Sequence, residues 1–169
     1  MTQEMPASMR PHEVNGVKVH TASLEEIRAY SGLDFLLRMV AGTVPPPPIA
    51  ATLGFTLAEV APGLAVFTMT PGLHHYNPIG SVHGGVACTL LDSCMGCAVQ
   101  TNVPKGFGYT TLELKVNLVR PITASTGPIR AEGRSLHAGR RSGTAEGRII
   151  DAKGNLLAHG TTTCMIFEI

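Results

Sequence analysis

Apolar and polar residues alternate strictly between Thr110 and Arg120. Leu112, Leu114, Val116 and Leu118 fall on one side of this pattern, and polar or charged residues fall on the other. A period of two predicts a β-strand whose apolar face packs on a core. Shorter apolar runs predict five more strands, at residues 53–60, 64–70, 129–137, 144–151 and 156–167.

One segment, Val86–Thr101, is apolar nearly all round and predicts a helix that must be covered on most sides. An antiparallel sheet curved around this helix would cover it, so the pattern predicts an α+β domain. An earlier helix starts at the capping box Ser23-Leu24-Glu25-Glu26. It should run to about Val40 unless the segment Tyr30–Asp34 divides it in two.

The beginning of the chain lacks the apolar periodicity of the rest. Residues 1–22 are polar and lack a period, which predicts a loose arm. Pro45 to Pro48 have a fixed φ and no N–H, so they predict a stiff extended connector. We therefore expect an N-terminal arm and helix over residues 1–44 and a single domain over residues 45–169.

Composition narrows the class of protein. The 169 residues suffice for one domain with a core. Only 15% are charged, which predicts that part of the surface is buried against another chain. A net charge of +1 disfavours nucleic acid as a partner. No apolar run reaches the roughly 18 residues of a membrane span, and no signal peptide is recognisable, so we expect a cytoplasmic protein without membrane association.

The segment Asn77–Gly85, followed by Asp92, carries the candidate chemistry. Gly84 and Gly85 are poor helix formers at a helix start, but glycine lets a ligand approach the backbone closely. The free N–H groups of a first turn suit a developing oxyanion, although a tight turn into the helix explains the glycines equally well. Asp92 lies on the predicted helix, where it can act as a base facing a glycine-lined space. A structural role, as a hydrogen-bonding group between elements, is the less favoured interpretation.

The pattern N-P-x-G-x-x-H-G-G, with an aspartate nine residues after the histidine, resembles the PaaI-like acyl-CoA thioesterases of the hotdog superfamily. The resemblance extends over roughly Pro47 to Phe167. It includes the strand TTLELKVNLVRP and the later Gly139-Arg140-Arg141. It implies the hotdog fold, in which an antiparallel sheet is wrapped around one long helix.

The resemblance also implies a role for each matching residue. Asp92 matches the catalytic carboxylate, acting as general base or nucleophile, and Gly84 the backbone donor that polarises the thioester carbonyl. Asn77 and His83 match polar residues that hold the substrate or the leaving thiolate. Thr111 matches a residue that positions the water, although it lies on the polar face of its predicted strand.

Binding of coenzyme A would require cationic groups for its phosphates. Arg140 and Arg141 can supply charge-assisted hydrogen bonds, and on a strand only one of them would face the ligand. Ordinary surface arginines are an equally good interpretation. Neither the neighbouring His74 and His75 nor the pair Cys94-x-x-Cys97 favours a metal site, so no metal and no cofactor other than substrate coenzyme A is expected.

Gly84 and Asp92 are eight residues apart on one predicted helix. At about 1.5 Å per residue they lie roughly 12 Å apart, too far to act on one carbonyl. A second copy across a two-fold axis would bring Asp92 of one chain to Gly84 of the other. We therefore expect a homodimer with two shared sites, as the resemblance also implies, assembling further as a dimer of dimers.

The expected function is hydrolysis of an acyl-CoA to the free acid and coenzyme A. One alternative is a hotdog dehydratase or hydratase acting on acyl thioesters. The other is a non-catalytic acyl-CoA-binding regulator. The acyl group stays open, as does the choice between coenzyme A and acyl carrier protein.

Overall fold

The structure, a computed structural model, describes residues 12–169. Its helices are α1 (Leu24–Ala29), α2 (Gly32–Val40), α3 (Pro48–Leu53) and α4 (Gly84–Gln100). Its strands are β1 (His12–Val14), β2 (Val17–Val19), β3 (Phe55–Ala61), β4 (Leu64–Met69), β5 (Phe107–Leu118), β6 (Ile129–Ala138), β7 (Ser142–Asp151) and β8 (Leu156–Glu168). None of the helices in this part of the chain has the length and hydropathy that a membrane crossing requires.

The last six strands form one antiparallel sheet in the order β3-β4-β6-β7-β8-β5. Helix α4 packs against five of these strands, and α2 packs against the remaining one, β3. The predicted α+β class, with an antiparallel sheet around one long helix, is therefore confirmed. The order places β5 at one edge of the sheet, beside β8.

Close approach between α4 and the sheet depends on glycines in the strands. A Cβ at Gly133 would lie 2.1 Å from the carbonyl oxygen of Cys94, and one at Gly147 would lie 2.7 Å from Cγ of Met95. Leu91, Cys94 and Met95 are completely buried at this contact. The small residues of β6 and β7 thus let the backbone of α4 rest directly on the sheet and hold it in a fixed position.

Strand β5 departs from the predicted alternation at one residue. Its pairing with β8 shifts by one residue between Thr111 and Glu113, so Leu112 is an extra residue in a β-bulge. Leu114 and Val116 pack on the core as predicted, but Leu112 is 60% exposed. The prediction that Leu112 shares their face is wrong, because the bulge reverses the alternation at that point.

The N-terminal segment is more ordered than its composition suggested. The prediction of a loose arm is wrong for residues 12–19, where β1 and β2 pair as a hairpin around Asn15 and Gly16, both with positive φ. The first part of that predicted arm, residues 1–11, lies outside the described residues. The Ser23 capping box is present, and the helix divides after α1, where Ser31 caps α2.

The proline run is extended only in part. Pro47 has extended backbone angles, but Pro48 is the first residue of α3. Proline is favoured at a first helical position, since the N–H it lacks would have no partner there. The predicted connector is therefore wrong at Pro48, and α3 was not predicted from the sequence.

Candidate active site

Asp92 lies in the middle of α4 and is partly exposed. Thr111 Oγ1 donates a hydrogen bond of 2.8 Å to Asp92 Oδ1. The bulge at Leu112 makes this contact possible, because it allows Thr111 to face α4 while Leu114 and Val116 also face inward. Within residues 12–169 the other carboxylate oxygen, Oδ2, has no donor, so it is available to a water or a substrate.

The N-terminus of α4 presents a backbone donor. His83 is the N-cap, and its Nδ1 accepts a hydrogen bond of 2.9 Å from the Gly85 N–H. Its carbonyl oxygen accepts one from the Val86 N–H. The Gly84 N–H has no acceptor among the described residues. This N–H therefore lies at the positive end of the helix dipole, where it can donate to a ligand oxygen.

The loop before α4 is held by its own side chains. Asn77 Oδ1 accepts from the N–H groups of Ile79 and Ser81, and its Nδ2 donates to the Ser81 hydroxyl. In this structure Asn77 therefore shapes the loop that carries His83. The amide nitrogen carries a second N–H with no acceptor among the described residues, so the substrate-holding role predicted for Asn77 would fall to that N–H.

His75 holds the start of α4 in place, a role that the sequence, where it was considered only as a metal ligand, did not indicate. It is 4% exposed, its Nδ1 accepts from the Gly72 N–H, and its Nε2 lies 3.0 Å from the carbonyl oxygen of Leu53. Both contacts fit a neutral ring that donates from Nε2, and burial lowers the pKa of His75. Its backbone carbonyl accepts from the His83 N–H at 2.8 Å, so His75 ties the start of α4 to the end of α3.

Arg140 and Arg141 lie in the turn between β6 and β7, and both are exposed. They are not strand residues with opposed side chains, so the expectation that only one can face a ligand does not apply. Thr111 pairs with Cys164, which pairs with Gly143. Neighbouring strands are about 4.8 Å apart, so Gly143, which lies next to the turn, is two strands and roughly 10 Å from Thr111.

A cavity of about 520 Å³ opens beside Asp92. Along α4 its wall is formed by Asp92 and by Ser93, Cys97 and Gln100, which are spaced along one face of the helix. Helices α1 and α2 line the opposite side. The space is therefore continuous from the candidate carboxylate to the N-terminal part of the chain.

The cavity does not lie where the glycines suggested. A Cβ at Gly96 would come within 3.0 Å of the Tyr109 ring, so that ring fills the space that Gly96 leaves. Burial raises the pKa of Tyr109 and raises the pKa of Cys97 to about 12. Cys94 and Cys97 are unpaired thiols. Within residues 12–169, no three His, Cys, Asp or Glu side chains converge on a point that would hold a metal ion.

Residues 79–158 match the model of the thioesterase superfamily. The chain is 30% identical to the proofreading thioesterase EntH of Klebsiella pneumoniae over 106 residues, which are 63% of this chain and 76% of that protein. A phenylacetic acid degradation-related protein from Ralstonia eutropha JMP134 has a similar structure, with a TM-score of 0.70 and 30% identity over 78% of this chain and 98% of that one. A thioesterase family protein from Silicibacter pomeroyi gives a TM-score of 0.70 at 24% identity, over 79% and 99% of the two chains.

Proposed function

The chain belongs to the thioesterase superfamily and has the hotdog fold, and we propose that it hydrolyses acyl-CoA thioesters to a free acid and coenzyme A. Family membership and the similarity to EntH support thioester hydrolysis as the class of reaction. The observation that carries the finer proposal is the Asp92 carboxylate, held by Thr111 in the wall of an apolar cavity.

The proposed reaction uses groups at the two positions on α4. The Gly84 N–H donates to the thioester carbonyl oxygen and stabilises the negative charge that develops there. Asp92 either removes a proton from the attacking water or attacks the carbonyl carbon itself. By both routes one water is consumed, a C–O bond forms, the C–S bond breaks, and the departing thiolate gains a proton.

The proposed site is shared between two copies of the chain. Helix α4 runs beside β5 in the opposite direction, because Gly84 lies near Leu118, and Asp92 near Thr111. As an edge strand, β5 offers unpaired backbone groups to a partner. If two β5 strands pair antiparallel about a point between Leu114 and Lys115, Thr111 of each copy lies opposite Leu118 of the other, and Asp92 of each copy approaches Gly84 of the other. Two such dimers would make the proposed tetramer.

Coenzyme A would lie with its phosphates near the β6–β7 turn. Arg140 and Arg141 are exposed there, and guanidinium groups bind phosphate through paired hydrogen bonds. Neither arginine lines the cavity beside Asp92. This separation suits a substrate whose charged nucleotide lies outside the cavity while its acyl group lies within.

The test of the proposed function is release of the free thiol of coenzyme A from an acyl-CoA panel, measured with a chromogenic thiol reagent. Asp92→Asn should keep the fold and the dimer but reduce turnover at least about a hundredfold, since a positioned base contributes on this scale. Near-normal turnover by a folded Asp92→Asn protein would remove Asp92 from the mechanism. Binding of acyl-CoA without thiol release would favour a regulator, and a change in the acyl group without thiol release would favour a hydratase or dehydratase.

A further inference from the structure

The cavity beside Asp92 is built in part from the N-terminal segment of the chain. We call residues 20–49 the cover segment. Its apolar contribution to the cavity wall includes Ile27, Phe35, Met39, Pro47 and Ile49. The facing wall includes residues of α4 and aromatic residues of the sheet, namely Phe55, Phe67, Phe107, Tyr109 and Phe167.

The cover segment is fixed to the domain by specific contacts. The Gly32 N–H donates to the carbonyl oxygen of Val103 at 2.9 Å. A Cβ at Gly32 would lie 1.9 Å from the carbonyl oxygen of Gln100, so only glycine lets α2 begin directly on the end of α4. Leu36 is 1% exposed and belongs to the same core as α4. These contacts hold Phe35 and Met39 over the cavity.

The cover segment lies outside the part of the chain that the family model matches. That model covers residues 79–158, and the cover segment ends at residue 49. Membership of the family therefore does not determine which side chains the cover segment places against the cavity.

The lining of the cavity limits the chemistry of its ligand. None of the described residues that line it is Lys or Arg, and its one histidine, His20, is already paired with Glu26 at 3.1 Å. Among the same residues, Asp92 is the one carboxylate side chain in the lining. An acyl group ending in a second carboxylate would bring an unpaired negative charge into this space, which is costly. At roughly 30 Å³ for each water-sized group, a cavity of about 520 Å³ has room for many more carbons than an acetyl group contains.

From these observations we infer that the cover segment completes an acyl-binding cavity that selects uncharged apolar acyl groups of about six to twelve carbons, straight-chain or aryl, over acetyl and dicarboxylic groups. The inference rests on the proposed hydrolysis, because it identifies the cavity beside Asp92 as the place of the acyl group. Its new element is that residues outside the matched family region determine acyl length.

The test compares acetyl-, hexanoyl-, decanoyl-, phenylacetyl- and succinyl-CoA as substrates of the full chain. Wild type should show a kcat/KM at least about tenfold higher for decanoyl- or phenylacetyl-CoA than for acetyl- or succinyl-CoA, since several buried methylenes separate these groups. Phe35→Trp narrows the cavity and should move the preferred straight chain at least two carbons shorter. If this variant does not fold, Ile27→Trp on α1 narrows the same cavity.

Leu37→Trp is the matched control, because Leu37 lies on the same helix, is 44% exposed and does not line the cavity. It should leave the preferred length unchanged. Equal rates across the panel, or the same shift in Phe35→Trp and Leu37→Trp, would overturn the inference and leave the proposed hydrolysis intact.

Absence of thiol release from every thioester would instead overturn the proposed function. The cavity is then tested without catalysis, by measuring the thermal unfolding of wild type and Phe35→Trp with the free acids. Decanoate, but not acetate or succinate, should raise the melting temperature of wild type, and Phe35→Trp should reduce the increase. Equal effects of all three acids would refute acyl selection by the cavity.

Discussion

Thr111 Oγ1 donates a 2.8 Å hydrogen bond to Asp92 Oδ1, even though the alternation along β5 assigns Thr111 to the face opposite Leu114 and Val116. The bulge at Leu112 removes this conflict, because one extra residue lets both sets of side chains point at α4. The contact fixes one oxygen of the carboxylate and leaves the other available. A local irregularity of the edge strand thus orients the proposed catalytic group.

Replacement of Thr111 by Val should lower kcat by about tenfold to a hundredfold, since a hydrogen bond to a charged group contributes about 1.5–3 kcal/mol. The change keeps the shape of the side chain and removes only its donor. Thr111→Ser keeps the donor and should retain most of the activity. Steady-state kinetics on one acyl-CoA measures both variants, and equal activity of the two would show that the hydroxyl does not orient Asp92.

The Gly84 N–H can be removed without replacing the rest of the first turn. Proline is well suited to this first helical position, and the preceding His83 has backbone angles of φ −61° and ψ 134°, which proline accepts. Gly84→Pro should therefore fold but lose about a hundredfold to a thousandfold in kcat, the usual effect of losing one oxyanion donor.

Gly84→Ala is the control for this change, because it adds a Cβ near Leu118 but keeps the N–H. Its kcat should stay well above that of Gly84→Pro, and circular dichroism and thermal unfolding should show both variants folded. Matching losses in the two folded variants would mean that the added atoms, and not the missing donor, cause the defect.

Substitution of Arg140 or Arg141 should raise KM more for substrates that carry the nucleotide of coenzyme A than for substrates that lack it. Replacing each with Ala should raise KM for an acyl-CoA, by up to about tenfold to a hundredfold for a well-formed phosphate contact. KM for the matching acyl-pantetheine should change little. Lys153→Ala removes a positive charge from the β7–β8 turn and is the control. Equal effects on both substrates would exclude a nucleotide contact.

The buried ring of His75 should make stability depend on pH. Its pKa is lowered in the folded protein, so the unfolded chain binds a proton more readily as the pH falls below about 6.5. The stabilisation from the neutral ring is therefore complete above that pH and is lost as the pH falls through and below it. Urea unfolding between pH 7.5 and 5.5 should show a smaller decrease in unfolding free energy for His75→Gln than for wild type.

His74→Gln changes the exposed neighbour of His75 and should keep the wild-type pH dependence. Because the His75 carbonyl accepts from the His83 N–H, loss of the ring should also loosen the start of α4 and reduce kcat. If the free energy of unfolding varied with pH in the same way for wild type and His75→Gln, the fold would not hold the ring neutral.

The sequence predicted the six strands of the main sheet, the central helix and the α+β class, because these depend on local periodicity and on covering an apolar helix. It did not predict the bulge at Leu112, which depends on pairing with β8 and on the space beside α4. The Asn15-Gly16 turn, by contrast, has the residue types that favour a tight hairpin, so β1 and β2 are predictable from the sequence. The role of Gly32 could not be predicted, because it arises from a contact with Gln100, which is distant in the sequence.

The candidate site divides in the same way. The sequence motif is enough to place Asp92 and Gly84 on one helix and to give their separation along it. The position of the cavity can be found only from the structure. Tyr109 fills the space beside Gly96, so the open volume lies on the side of Ser93 and Cys97. Helical spacing alone cannot show which neighbouring strand fills a space left by glycine.

Activity should return when two inactive variants of the protein are mixed. Asp92→Asn and Gly84→Pro each damage both shared sites of a homodimer. In a mixed dimer, one site combines the intact Asp92 of one chain with the intact Gly84 of the other, while the second site combines both altered positions. If subunits exchange freely, half of the dimers are mixed and each has one working site, so activity should return to about a quarter of wild type.

A chain carrying both substitutions, mixed with either single variant, should restore nothing, because no combination then unites the two intact groups. Native mass spectrometry of differently tagged chains establishes that mixed dimers have formed. If they form and activity stays absent, each site is contained within one chain, and the pairing of β5 edges does not build it.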